Sequence, residues 1–228
     1  MSKNLWLLDA GHGDTTPGKR SPVLKDGRQL MEFEYVRKIR HAMIPHMARL
    51  GINYNFVSHG NEDMSLLQRA SVINDIARKN TNAVCISIHA NAAGNGTDWH
   101  SASGYEVFTS KGFTRSDEIA EFFYMAMKAS KLFRMRQDTE DGDHDREANY
   151  YMLKKTICPA ILTESGFYTN EEEVEKMFDD AFIEKVAVAH IKGICAYDGI
   201  AFNGNKVVQY KSTGLETVNG LVIQSKKK

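Results

Sequence analysis

No run of apolar residues in this chain approaches the ~20 that a membrane-spanning helix needs. The first apolar stretch, Leu5–Leu8, stops at Asp9, whereas the core of a secretory leader takes ~7–15 apolar residues. The sequence as written therefore predicts synthesis in the cytoplasm, no signal peptide and no membrane insertion. Net charge is lacking as well: Lys plus Arg and Asp plus Glu both total 29, so no global cationic field draws the chain to nucleic acid. Cysteine is scarce and odd in number. Cys85, Cys158 and Cys195 lie far apart in the apolar contexts "AVCISI", "TICPAI" and "GICAY", which predicts buried free thiols rather than a disulfide framework or a Cys-based metal site. The short motifs H-E-x-x-H, G-x-S-x-G and C-x-x-C are all missing, so no compact zinc or nucleophile signature is present.

What is there is an ordinary globular chain of 228 residues, 42% hydrophobic and 25% charged, long enough to bury a core without covalent staples. "NLWLLD", "NYNFVS", "AVCISIHA", "GYEVFTS" and "PAILTES" read as strands. Between them lie helical periods: one from Glu34 to Gly51 that Pro45 should kink or break, one capped by Ser65, one in "SDEIAEFFYMAMKAS", and a last one capped by Asn170 that runs on through "FIEKVAVAHIKGICAY". Strands alternating with helices predict an α/β fold, a single three-layer α/β/α sandwich with a mostly parallel central sheet. Residues 1–199 form the main unit, and residues 200–228 are expected to be a short β appendage or tail, with "NGNKVVQY" and "LETVNGLVIQ" as strands and Asn219-Gly220 as a hairpin turn.

Chemistry gathers where such a sheet binds its ligands, beyond the carboxyl ends of the strands. His12 follows the first strand, between Gly11 and Gly13. His89 ends "CISIH", Glu164 ends "AILTE", and Glu34 opens the first long helix. Two histidines and a carboxylate from separate elements suit a catalytic zinc site with an open position. A further carboxylate could serve as general base. Glycine permits positive φ and close backbone approach, and either would help His12 reach a shared ion.

The blocks "LLDAGHG…PG", "EFEYVRKI", "LLQRASVIND", "SIHANA", "GYEVF" and "PAILTESGFYTNEEE" occur in that order. Together they resemble the zinc-dependent N-acetylmuramoyl-L-alanine amidases of the type called amidase 3, from about Leu5 to Tyr197. The resemblance implies hydrolysis of the amide between N-acetylmuramic acid and L-alanine in peptidoglycan, with one Zn²⁺. It implies His12 and His89 as ligands and Glu164 as the catalytic carboxylate. For the remaining ligand, "MEFEYV" offers Glu32 and Glu34. In the family this glutamate stands five residues before an apolar helix position and eight before an alanine. Glu34 meets that with Ile39 and Ala42, whereas Glu32 would place Arg37 and Arg40 there, so Glu34 is the expected ligand. Arg146 and Asn149 fall in the region that borders the family's active site, and with Asn91 they are candidates for substrate binding.

Other residues stay open. Asn91 either orients the metal site, binds sugar or closes a turn. Trp99 and His100 could stack on a sugar or anchor their loop. The acidic loop Asp138–Asp145 does not fit calcium-loop spacing. A cell-wall hydrolase without a leader fits a bacteriophage endolysin that waits in the host cytoplasm, or an enzyme of mother-cell lysis. The rival readings are a zinc peptidase or carboxypeptidase acting within the stem peptide, and an inactive wall-binding module. Composition leaves the oligomeric state unknown.

Overall fold

The computed structural model describes residues 2–138 and 142–202, and the backbone of 215–218 and 221–224. Leu5–Ala10 (β1) is paired in parallel with Asn53–Phe56 (β2) on one side and Ala83–Asn91 (β3) on the other. Ala160–Phe167 (β6) runs parallel beside β3. Tyr105–Thr109 (β4) then pairs with β6 in antiparallel sense, and the two-residue Arg146–Glu147 (β5) closes that edge, giving the order β2-β1-β3-β6-β4-β5. The sheet is thus mostly parallel, with β4 reversed against β6.

Parallel neighbours require crossovers, and helices supply them on both faces. Trp6, Leu8, Val84, Ile86 and Ile88 point to a core shared with Glu32–Leu50 (α1), Arg115–Ser130 (α3) and Asp180–Asp198 (α6). Their neighbours Leu7, Cys85 and Leu162 point the other way, to Leu66–Ala77 (α2) and Tyr151–Lys155 (α4). Side chains alternate, yet both faces are apolar, which is why these strands read as continuous hydrophobic runs.

Helix ends follow local chemistry. Gly51 stops α1 in the left-handed conformation, and Ser65 with Gln68 forms a capping box on α2. Pro45 stays inside α1 without ending it. The expected single helix after Asn170 is two: Glu171–Met177 (α5) and α6, the second capped by Asp179. Among the described residues no helix is long and apolar enough to cross a membrane. The cysteines are free, Cys85 and Cys195 buried and Cys158 half-buried. Near the C-terminus Leu215–Val218 (β7) and Leu221–Gln224 (β8) pair as an antiparallel hairpin, separate from the main sheet. "NGNKVVQY" and the turn Asn219-Gly220 lie outside the described residues.

Candidate metal centre and active-site cleft

The carboxyl ends of β1, β3 and β6 open into a cleft of about 560 Å³, lined among others by His12, Lys19, Glu32, His89, Tyr150 and Glu164. His12 sits just past β1 with φ of 60°, in the left-handed region that costs a side-chain-bearing residue of order 1–3 kcal/mol. Neither flanking glycine has positive φ; the strained residue is the histidine itself. The glycines serve close approach instead. A Cβ on Gly11 would lie 2.2 Å from the His89 ring, and one on Gly13 would lie 2.3 Å from the Asp63 backbone. The strained turn is held by two arginines, with Arg37 Nη2 (3.0 Å) and Arg69 Nη2 (2.7 Å) both donating to the His12 carbonyl.

His12 and His89 meet edge to face, ring centres 4.9 Å apart. The carboxylate between them is Glu32, not Glu34. Glu32 Oε2 lies 3.4 Å from His12 Nε2, and Oε1 lies 3.1 Å from both His89 Nδ1 and the Ala90 amide. Glu34 is exposed, because two residues along a helix turn a side chain about 200° around the axis. Helical spacing favours the wrong glutamate for a physical reason. The positions that should be apolar and alanine relative to Glu32 hold Arg37 and Arg40, at 4% and 0% exposure. Both are buried as if apolar, with their guanidinium groups spent on backbone carbonyls of His12, Gly60 and Ser58.

The three side chains fit a metal ion: one ligand atom from each lies within 4.8 Å of the others, and two imidazoles with a carboxylate are a donor set that zinc takes. Glu32 Oε2 is buried and accepts no hydrogen bond, a costly state unless a cation or proton uses it. His89 is oriented from behind: its Nε2 lies 3.2 Å from Ser87 Oγ, which in turn donates to Asp9 at 2.6 Å. That leaves Nδ1 facing the cluster. Burial lowers the His12 pKa to about 4 despite Glu32 beside it. Burial also works against a charged His89, but there the Glu32 carboxylate wins and raises the pKa.

Glu164 stands beside His89 in the β3–β6 register. Its Oε2 is shielded from solvent and unpartnered. Burial, reinforced by the Glu32 and Glu106 carboxylates and opposed by His89, pushes its pKa up to about 8. A carboxyl tuned this way, at the wall of a cleft, suits proton transfer.

Of the other candidates, Asn91 lines the cleft and donates to Glu106 at 2.6 Å. Arg146 reaches the same Glu106 at 2.8 Å and Asn149 is exposed; neither belongs to the cleft lining. Trp99 packs against the core and, with His100, lines a separate cavity of about 550 Å³ beside α5. His144 pairs with Glu121 and stacks on Tyr124. Sequence reasoning missed Arg69 and Glu106, although a charge within an otherwise apolar segment ("LLQRASVI", "GYEVF") was the available sign.

The fold aligns with the crystal structure of an N-acetylmuramoyl-L-alanine amidase from Clostridium difficile 630, TM-score 0.71 at 24% identity, over 86% of this chain and 97% of that one. In class the fold is α/β, a mostly parallel sheet with two histidines and a carboxylate from the first helix gathered at its strand ends. Residues 7–196 match the family model described as N-acetylmuramoyl-L-alanine amidase, and the chain belongs to that family. It is 24% identical over 200 residues to the N-acetylmuramoyl-L-alanine amidase CwlM of Bacillus licheniformis, covering 88% of this chain and 69% of that protein. It is 26% identical over 198 residues to the endolysin of Bacillus phage SPP1, covering 85% of this chain and 65% of that protein. The chain thus spans about two thirds of the length of both relatives.

Proposed function

We propose that this chain is a zinc-dependent amidase that cleaves the bond between the lactyl carbonyl of N-acetylmuramic acid and L-alanine in bacterial peptidoglycan. The observation that carries the reading is the convergence of His12, Glu32 and His89 within 4.8 Å, with the unpartnered Glu164 carboxyl on the adjoining strand. The three would hold the ion, which when bound supplies a Lewis acid for water and for the amide carbonyl. Glu164 takes a proton from the attacking water as its oxygen adds to the carbonyl carbon. It returns that proton to the alanine nitrogen as the C–N bond breaks, leaving a carboxylate on the lactyl group and a free amine on the peptide. Burial strengthens Glu164 as a proton acceptor, while a cation at the neighbouring cluster would favour its ionised form, the state that must precede the first transfer.

The catalytic unit is residues 1–199, with residues 200–228 as a short appendage; the family match ending at residue 196 supports this. A role in phage lysis, acting on the wall from the host cytoplasm, is supported by the similarity to the SPP1 endolysin.

The test is digestion of purified sacculi, with new ends read by mass spectrometry beside a Glu164→Gln control. The expected result is new L-alanine amines and peptide-free glycan, with a loss of about 10²–10⁴ in rate in the control. New ends inside the stem peptide would make the chain a peptidase. Binding without cleavage would make it a wall-recognition module.

A further inference from the structure

Glu106 on β4 is the direct cross-strand partner of Glu164 on β6, yet the two carboxyls live in opposite surroundings. Glu164 Oε2 accepts nothing. Glu106, 3% exposed, accepts Arg136 Nε at 2.7 Å and Arg146 Nη1 at 2.8 Å on one oxygen, and Asn91 Nδ2 at 2.6 Å on the other. One buried carboxylate therefore anchors two guanidinium groups, and among the described residues a unit of positive charge is left over. Among the described residues no other carboxylate lies within ion-pair distance of either arginine.

Arg146 is the more accessible of the two, its side chain 39% exposed. Its Nε and Nη2 make no hydrogen bond to the described protein, so the two-pronged edge that matches a carboxylate is open. It stands just behind the cleft lining and is tied to it through two lining residues. Tyr150, a lining residue, is close enough to Glu164, Glu106 and Arg146 to feel the charge of all three, and Asn91 joins the cleft wall to the arginine anchor.

We propose that Arg146, held by Glu106 and backed by Arg136, binds a free carboxylate on the peptide side of the substrate, close to the scissile amide. This rests on the amidase reading. The chemistry chooses the side: the lactyl carboxyl of the muramic acid is consumed in the amide itself, and the N-acetylated glycan carries no other acid. A carboxylate near the reacting bond belongs to the peptide, and its first opportunity is the α-carboxyl of the glutamate that follows the alanine. In many walls that group is amidated, so the site would discriminate between free and amidated stems.

The experiment uses uncross-linked peptidoglycan strands bearing tripeptide stems that differ only in whether that α-carboxyl is free or amidated. Initial rates are measured with the full chain and with the Arg146→Gln and Arg146→Lys variants. The expected result is a higher kcat/KM on free stems, lodged in KM. In Arg146→Gln the KM on free stems should rise by about tenfold or more, and the ratio of free to amidated kcat/KM should fall to near one. Arg146→Lys, which keeps the charge and loses the fork, should recover part of the ratio. A variant damaged only in its fold would lower both rates and keep the ratio, which would overturn the proposal. Equal rates on both strands with the unaltered chain would overturn it too, and leave the amidase reading standing. Cleavage of neither strand would end both.

Discussion

Arg69 Nη1 lies 2.6 Å from Asp9 Oδ1 at a point where neither side chain is more than 2% exposed. The same guanidinium donates to the carbonyls of Ala10 at 2.8 Å, His12 at 2.7 Å and Met64 at 3.0 Å. One side chain on α2 thus ties down the end of β1 and the strained turn that carries His12. Arg69→Met would strand the Asp9 charge, and the expected loss of stability is about 3–5 kcal/mol. Exchanging Asp9 for leucine in the same protein should recover part of it. Denaturant unfolding of the single and double variants measures both.

The glutamate assignment is directly testable. Glu32→Gln should weaken zinc binding by more than the 10–100-fold typical of losing an outer partner of a ligand. Glu34→Gln, altering an exposed group, should leave affinity unchanged. Competition with a chromophoric chelator reads the difference, and equal affinities in the two variants would remove Glu32 from the site.

Gly11→Ala places a methyl 2.2–2.6 Å from three atoms of the His89 ring. The ring must move, since the added carbon is fixed to the backbone of a buried residue and all three of its nearest atoms belong to that ring. Zinc affinity and amidase rate should fall together, while far-ultraviolet circular dichroism stays close to that of the parent. Retained affinity would mean that His89 has a second productive rotamer.

His190 predicts an acid-side instability. Its Nδ1 donates to the Val186 carbonyl at 2.9 Å and its Nε2 accepts from Thr163 at 3.1 Å, so the neutral ring satisfies both neighbours. Burial lowers its pKa to about 4 from 6.5. Between those values the unfolded chain binds the proton and the native one does not, so stability falls as pH drops from 6.5 towards 4. The whole shift corresponds to roughly 3 kcal/mol. His190→Met should flatten that part of the stability–pH curve relative to the parent. Parallel curves would show that the ring titrates normally.

Much of this molecule is legible in the chain because both faces of the central strands are buried, and burial on both faces writes "LWLL", "AVCISI" and "AILT" as unbroken apolar runs. The same depth of burial hides the rest. Arg37, Arg40 and Arg69 sit in the interior as apolar side chains would, the first two met by backbone carbonyls and the third by carbonyls and the distant Asp9, partners that no local pattern announces. That is how Glu34 came to look better placed than Glu32. β5 is two residues long and held by its neighbour alone, so it leaves no period to detect. The reversal of β4 against β6 follows from the connection after β3, which turns the chain back into the sheet without a crossover helix, a matter of topology rather than of local preference.

The order β2-β1-β3-β6-β4-β5 has a consequence for how the enzyme comes into being. β6 is the last core strand to leave the ribosome, yet it lies in the middle, between β3 and β4. Until residue 167 emerges, β3 has an open edge and β4 has no antiparallel neighbour to join. His12, Glu32 and His89 all precede β6 in the chain, whereas Glu164 arrives only with the strand that closes the sheet, and α6, which shares a core with the helix carrying Glu32, comes later still. Translation therefore delivers the proton-transfer carboxyl last of the four site groups, and a chain halted before β6 lacks the residue that makes the cut.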